Sequence, residues 1–134
     1  MGNSLIQMVG TGTSPAQAAA ISGSVQSGLT ALGTTQANAF AIFNNFTHFS
    51  TTAAGTGAVL PPVSATVGLA TQLGDEFDVY NNGANALLVY PPVGGAIGTI
   101  AANTALSVPS GKGAKFVLLT ITGTVALYGA ILSA

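Results

Sequence analysis

The chain has 134 residues, of which 4% are charged: two lysines, no arginine, three acids and one histidine, for a net charge of -1. An ordinary soluble domain is about 25% charged, so ionic chemistry is scarce, and the lack of cysteine excludes disulfides and thiolate metal ligands. Nothing is basic enough to grip a phosphate backbone, which argues against a direct nucleic-acid partner.

Solubility must therefore rest on amides and hydroxyls; Ser, Thr, Asn and Gln together number 39. A net charge this close to zero gives copies little mutual repulsion and favours association, so an oligomer or lattice component is expected. The length suits one domain with a substantial core.

Residues 1 to 13 show no clear periodicity and are expected to form an extended arm. The N-terminus lacks the positive region of a signal peptide. From Ser14 to Gly33, "SPAQAAAISGSVQSGLTALG" predicts a helix: Ser14 can cap, Pro15 fits the first helical position and Gln17 completes a capping box. Ile21, Val25, Leu29 and Leu32 then follow at helical spacing as a thin apolar stripe, suited to packing against copies of itself or a larger assembly, the alternative being an ordinary helix on a domain core. The texture changes near residue 34, which divides the chain into an arm and helix (1–34) and a β-domain (35–134).

Beyond Thr35 the sequence reads as short strands and turns. "NAFAIFNNFTHFS" alternates at Phe46, His48 and Ser50, and "DEFDVY" alternates well. Asn82-Gly83 lies in a polar loop before "ALLVYPP", which predicts a hairpin. Pro109 and Gly111 suit a turn before "AKFVLLTIT". Leu60-Pro61-Pro62-Val63 and Tyr90-Pro91-Pro92-Val93 echo each other at a distance of thirty, and each marks a strand leaving its sheet, because proline cannot donate to a ladder. The expected fold is mainly β, a small antiparallel β-sandwich or jelly-roll-like domain preceded by the arm and helix. A competing reading comes from "FVLLTITGTVALYGAILSA", nineteen uncharged residues that a hydropathy window takes for a membrane span. The alternation of Thr120, Thr122 and Thr124 with apolar neighbours and the break at Gly123-Thr124 favour two strands joined by a tight turn.

Candidate chemistry is thin. His48 is the single imidazole and sits in an aromatic run, so a hydrogen-bonded, partly buried ring is expected rather than a catalyst. Asp75, Glu76 and Asp78 are the acids; Glu76 and Asp78 fall on one strand face, opposite Phe77 and Val79. With Lys112 and Lys115 they make a candidate ion-pair cluster. "SGKGA" lacks the residues of a phosphate loop, and neither "GTG" completes a dinucleotide fingerprint. Asn45-Phe46-Thr47 matches a glycosylation acceptor but has no secretory context. No catalytic, cofactor or metal site is expected, and the chain reads as a non-enzyme.

The run "TQANAF…TTAAGTGAVLPP…GDEFDVYNNGANALLVYPPVGGAIGTI…SVPSGKGAKFVLL" resembles a small β-domain found in structural proteins of tailed bacteriophages, among them head-decoration (cement), head-fibre and tail-associated proteins. The resemblance covers about Thr35 to Leu132 and is most specific at Gly57 to Pro61, Gly74-Asp75, Asn81 to Ala86 and Val89 to Gly95. A longer insert, Val63 to Leu73, separates "LPP" from "GD" here. The resemblance implies a virion protein: a capsid cement protein, homotrimeric, that binds the major capsid protein where neighbouring subunits meet on the capsid surface. The alternative within this class is a head- or tail-fibre module touching the host surface. From another class comes a small membrane protein with a C-terminal span. The arm and helix would be the anchor or the trimer axis.

Overall fold

The computed structural model describes residues 25–62, 73–123 and 125–133. Over these the protein is mainly β. Its strands are β1 (Val25–Thr30), β2 (Phe40–Ala41), β3 (Phe46–Thr51), β4 (Gly57–Val59), β5 (Glu76–Asn81), β6 (Leu87–Tyr90), β7 (Ala96–Ile97), β8 (Leu106–Val108), β9 (Lys112–Thr122) and β10 (Val125–Leu132). They make a six-stranded sheet in the order β1-β3-β5-β9-β10-β7 and a four-stranded sheet in the order β2-β4-β6-β8.

From β1 to β9 the chain changes sheet at every step, odd strands in the larger sheet and even strands in the smaller. A parallel pair needs a crossover between its members, and here each crossover contains a strand of the opposite sheet. Such crossovers allow the pairs β1–β3, β3–β5, β2–β4 and β4–β6 to run parallel, and β10–β7 is parallel too. The β5–β9, β6–β8 and β9–β10 pairs are antiparallel. Both sheets are mixed, which corrects the antiparallel expectation. The expected hairpin at Asn82-Gly83 is likewise corrected: β5 and β6 lie in different sheets, so the loop between them is a corner.

The echo at thirty residues proves to be a repeated unit. β3 and the start of β4 at Phe46 and Gly57 correspond to β5 and β6 at Glu76 and Leu87, each thirty positions later. The two units lie side by side as parallel ladders, Phe49 opposite Asn81 in one sheet and Val59 opposite Tyr90 in the other. Their proline exits are held alike, by side chains from elsewhere. The Pro61 carbonyl accepts a hydrogen bond from the buried Tyr128 hydroxyl at 2.9 Å. The Pro91 carbonyl accepts one from Gln36 Nε2 at 2.6 Å. Burial pushes the Tyr128 phenol well above its ordinary range, with Asp75 adding to the shift.

Among the described residues the expected helix is not present. Val25–Thr30 is a strand, laid parallel on β3 with Val25 opposite Phe46. Gly28 adopts a left-handed backbone, φ 71°, which no helix interior accommodates. Ladder bonds to β3 thus replace the local helical ladder. Val25, Leu29 and Leu32 do not line up as a stripe: Val25 is 70% exposed, Leu29 packs on the core, and Leu32 is 50% exposed and bridges to Gly57. Ile21 and the residues before it lie outside the described residues.

The C-terminal run folds as β9 and β10, joined at Gly123 with φ 63°. This is the pair of strands and tight turn that the alternation favoured over a membrane span, and no helix among the described residues is long and apolar enough to cross a membrane.

One buried cluster takes side chains from both sheets. Phe49, Phe77, Val79, Phe116, Leu118 and Tyr128 come from the larger sheet, and Ala58, Leu87, Val89 and Val108 from the smaller. Phe40 meets Phe49 edge-on at 5.4 Å, and Phe77 meets Tyr128 edge-on at 6.2 Å. Three polar residues are buried with them: Thr47, Thr52 and Asn81. The Asn81 amide has both its N–H donors and its oxygen engaged. Its Nδ2 donates to the Asn85 carbonyl at 2.8 Å and the Val108 carbonyl at 2.9 Å. Its Oδ1 accepts from the Gly83 N–H at 3.0 Å, with the Thr52 hydroxyl at 3.2 Å. The Thr47 hydroxyl is buried without a hydrogen-bond partner.

These two buried polar residues should respond oppositely to substitution. Thr47→Val removes an unsatisfied hydroxyl at nearly constant shape and is expected to stabilise the fold by about 1 kcal/mol. Asn81→Ala removes the hydrogen bonds that its side chain makes to the Asn85 and Val108 carbonyls and to the Gly83 N–H and is expected to cost about 2–4 kcal/mol. Denaturant unfolding of both variants checks the opposed signs.

Candidate functional site

Strand alternation sends Phe49, Val79, Ala114 and Phe116 into the core and sends their neighbours to the outer face of the larger sheet. The ladder registers arrange those outer residues in rows across the strands. In one row Phe46 stands opposite Asp78, Asp78 opposite Lys115, and Lys115 opposite Ile131. In the next, His48 stands opposite Tyr80 and Tyr80 opposite Gly113. Glu76 lies on the same face, opposite Val117.

The ionic residues meet here. Lys115 Nζ lies 3.1 Å from Glu76 Oε1. The pair is well exposed, and such pairs contribute little to stability. The hydrogen bond that Lys115 donates to Glu76, reinforced by the charges of Glu76 and Asp78, raises the Lys115 ammonium above its ordinary value. Asp78 behaves differently. Partial burial raises its carboxyl above the ordinary 3.8, Lys115 opposes that shift, and Glu76 adds to it. Of the five residues of the candidate ion-pair cluster, the structure thus brings Glu76, Asp78 and Lys115 onto one face. Asp75 precedes β5, where its carbonyl accepts the Leu118 N–H at 3.0 Å. Lys112 begins β9 opposite Asn81.

His48 is half-buried and stacks on Tyr80, with ring centroids 5.8 Å apart and planes inclined by 21°. Its Nδ1 lies 2.9 Å from the Ser27 hydroxyl and accepts the Gly28 N–H at 3.4 Å. A hydroxyl beside an imidazole is the first half of a nucleophile–base pair. Here Nδ1 is shared with a backbone donor and the ring face is packed on tyrosine, so the contact ties β1 to β3. The sequence expectation of a hydrogen-bonded, partly buried ring agrees with this geometry. Its partner Ser27 was hidden inside the expected helix.

Between the two rows runs a shallow groove of about 290 Å³, walled by Phe46, Asp78, Tyr80, Lys115 and Ile131. Its floor includes Gly113, where a Cβ would sit 3.1 Å from the Val79 carbonyl oxygen and 3.5 Å from the Tyr80 ring. Missing a side chain at 113, the sheet leaves the groove open there. A second hollow, about 380 Å³, lies at the proline exits, where Gln36 and Ala37 face Val59, Leu60, Pro62, Pro92 and Val93. The strand-exit prolines therefore do more than stop strands. Pro61 and Pro91 offer carbonyls to side-chain donors, while Pro62 and Pro92 line this hollow.

Among the described residues no group of three or more His, Cys, Asp or Glu is placed to hold a metal ion. Comparison with protein-family models, with curated proteins and with solved structures finds no match to the chain.

The electrostatics of Asp78 set a pH dependence. Its folded-state pKa is raised, so the folded protein holds this proton more tightly than the unfolded chain does. The resulting stability is present below 3.8 and is lost as pH rises from there through the raised value. Asp78→Asn should abolish this component, raising the Tm at neutral pH and leaving it nearly unchanged at strongly acid pH. Thermal unfolding across the acid range measures the difference.

Proposed function

We propose that the chain is a capsid cement, or decoration, protein of a tailed bacteriophage. In this reading it is a β-sandwich that assembles as a homotrimer and seats on the outer capsid surface between major capsid subunits, stabilising the head. The observation that carries it is the kind of surface the protein offers. Phe43, Val93 and Ile131 are 72%, 77% and 70% exposed on a chain only 4% charged. Such a surface gains from being covered and has little charge to desolvate when it is. The resemblance of Thr35 to Leu132 to phage head and tail β-domains supplies the identity of the partner.

The work of such a protein is interfacial. One trimer touching several subunits makes the capsid break many contacts together, and the second and third protomers bind at high effective concentration once the first is seated. No turnover is needed.

A head- or tail-fibre module contacting the host is the second reading, and the groove between Phe46, Tyr80 and Lys115 favours it. Aromatic rings beside a carboxylate and an ammonium suit recognition of a polar ligand better than burial in a lattice.

Purified particles decide between them. A cement protein is present in mature heads at a copy number matching the capsid lattice, and heads lacking it rupture at lower temperature. Its attachment should resist salt, because exposed charges are screened within about 10 Å at 0.1 M whereas apolar contacts are not. Raising sodium chloride from about 0.1 to 1 M should leave occupancy nearly unchanged. Release of most copies by salt, or a single monomeric species in sedimentation at micromolar protein, would overturn the reading.

A further inference from the structure

The sequence contains one Asn-Gly pair, Asn82–Gly83, at the corner between β5 and β6. Such a pair is chemically labile in a loose chain, because glycine has no Cβ to shield its backbone nitrogen. Once hydroxide removes the amide proton, the Gly83 nitrogen attacks Cγ of Asn82. The N–Cγ bond forms, the Cγ–Nδ2 bond breaks, and the amide leaves as ammonia with a proton from water. Water then opens the cyclic imide at either carbonyl, giving aspartate or a β-aspartyl linkage with one more negative charge.

The fold both requires this pair and restrains it. A Cβ at Gly83 would collide with the Thr52 hydroxyl and backbone nitrogen, so packing demands glycine there. Asn82 is exposed, yet Gly83 is buried. The Gly83 N–H donates to Asn81 Oδ1 at 3.0 Å, and its carbonyl accepts from the Ser110 hydroxyl at 2.5 Å. The Asn82 N–H is held by the Phe49 carbonyl at 2.8 Å. The would-be nucleophile is thus hydrogen-bonded and kept from water, and the peptide on either side of Asn82 cannot turn to present it.

We propose that Asn82 is a latent deamidation site guarded by the neighbouring Asn81 carboxamide, so that the reaction proceeds only when this corner opens. Conversion to the β-aspartyl form lengthens the backbone between the Phe49 and Asn81 hydrogen bonds, so an opened corner does not reclose in register.

Peptide mapping of the full chain, held in mildly alkaline buffer natively and in denaturant, tests this. Deamidation at Asn82 should be at least about tenfold slower in the native protein, and the Gly83 amide should be protected from hydrogen exchange. Asn81→Ser, if it folds, should speed the native reaction toward the denatured rate. Equal native and denatured rates, rapid exchange of the Gly83 amide, or a folded Asn81→Ser variant that deamidates at the native rate would each overturn the proposal. The first two measurements use the natural chain and decide the matter even if the variant does not fold.

Discussion

One buried side chain amide holds the corner of the fold where both sheets meet. Asn81 ends β5 in the larger sheet, yet its carboxamide reaches the Val108 carbonyl on β8 of the smaller one. It also fixes the loop through Asn85 and Gly83. Thr52, just past β3, joins the same network: its hydroxyl donates to the Asn85 carbonyl at 2.8 Å, and its carbonyl accepts from Asn85 Nδ2 at 2.9 Å. A buried polar group is costly unless every donor and acceptor is met. Because these are met only when β3, β5, β8 and the corner loop are all in place, the amide specifies their relative positions more sharply than apolar packing does. The glycine at 83 and the close approach of Thr52 follow from it.

Much of the local pattern was legible in the sequence. The alternation of Glu76, Phe77, Asp78 and Val79 correctly separated face from core, the prolines marked strand exits, and Gly123 marked the C-terminal turn. What escaped, outside the β9–β10 hairpin, was the partner of each strand. A polar loop between two apolar runs looks the same whether the second run folds back beside the first or crosses to another sheet, so the β5–β6 corner read as a hairpin. The expected helix failed at Val25–Thr30 for a related reason. Its capping box and spacing are local signals, and at Val25–Thr30 they were outweighed by ladder bonds to β3, which local periodicity cannot register. Asn81 and Asn82 are adjacent and chemically identical; only the tertiary fold makes one a buried tie and the other an exposed residue.

The surface has its own division of labour. Glu76, Asp78 and Lys115 gather on the outer face of the larger sheet beside His48 and Tyr80, while Phe43 and Val93 are exposed on segments flanking strands of the smaller one. A chain with so few charges can thus present one face suited to polar recognition and other regions suited to apolar contact.

The weaving of the chain between sheets also governs how the protein can form. Of its ladders, only β9–β10 joins strands adjacent in sequence; every other pair among the described strands must wait for an intervening strand to be placed across the core. Loop closure must therefore be spent before most pairings return any stabilisation, which makes folding slow for the size of the chain. The hairpin of β9 and β10 is the natural nucleus, and it leaves a ribosome after every other described strand. The parallel ladders β1–β3–β5 and β2–β4–β6 would then close only once that hairpin has formed, and until that moment their edges stay open to pairing with other copies.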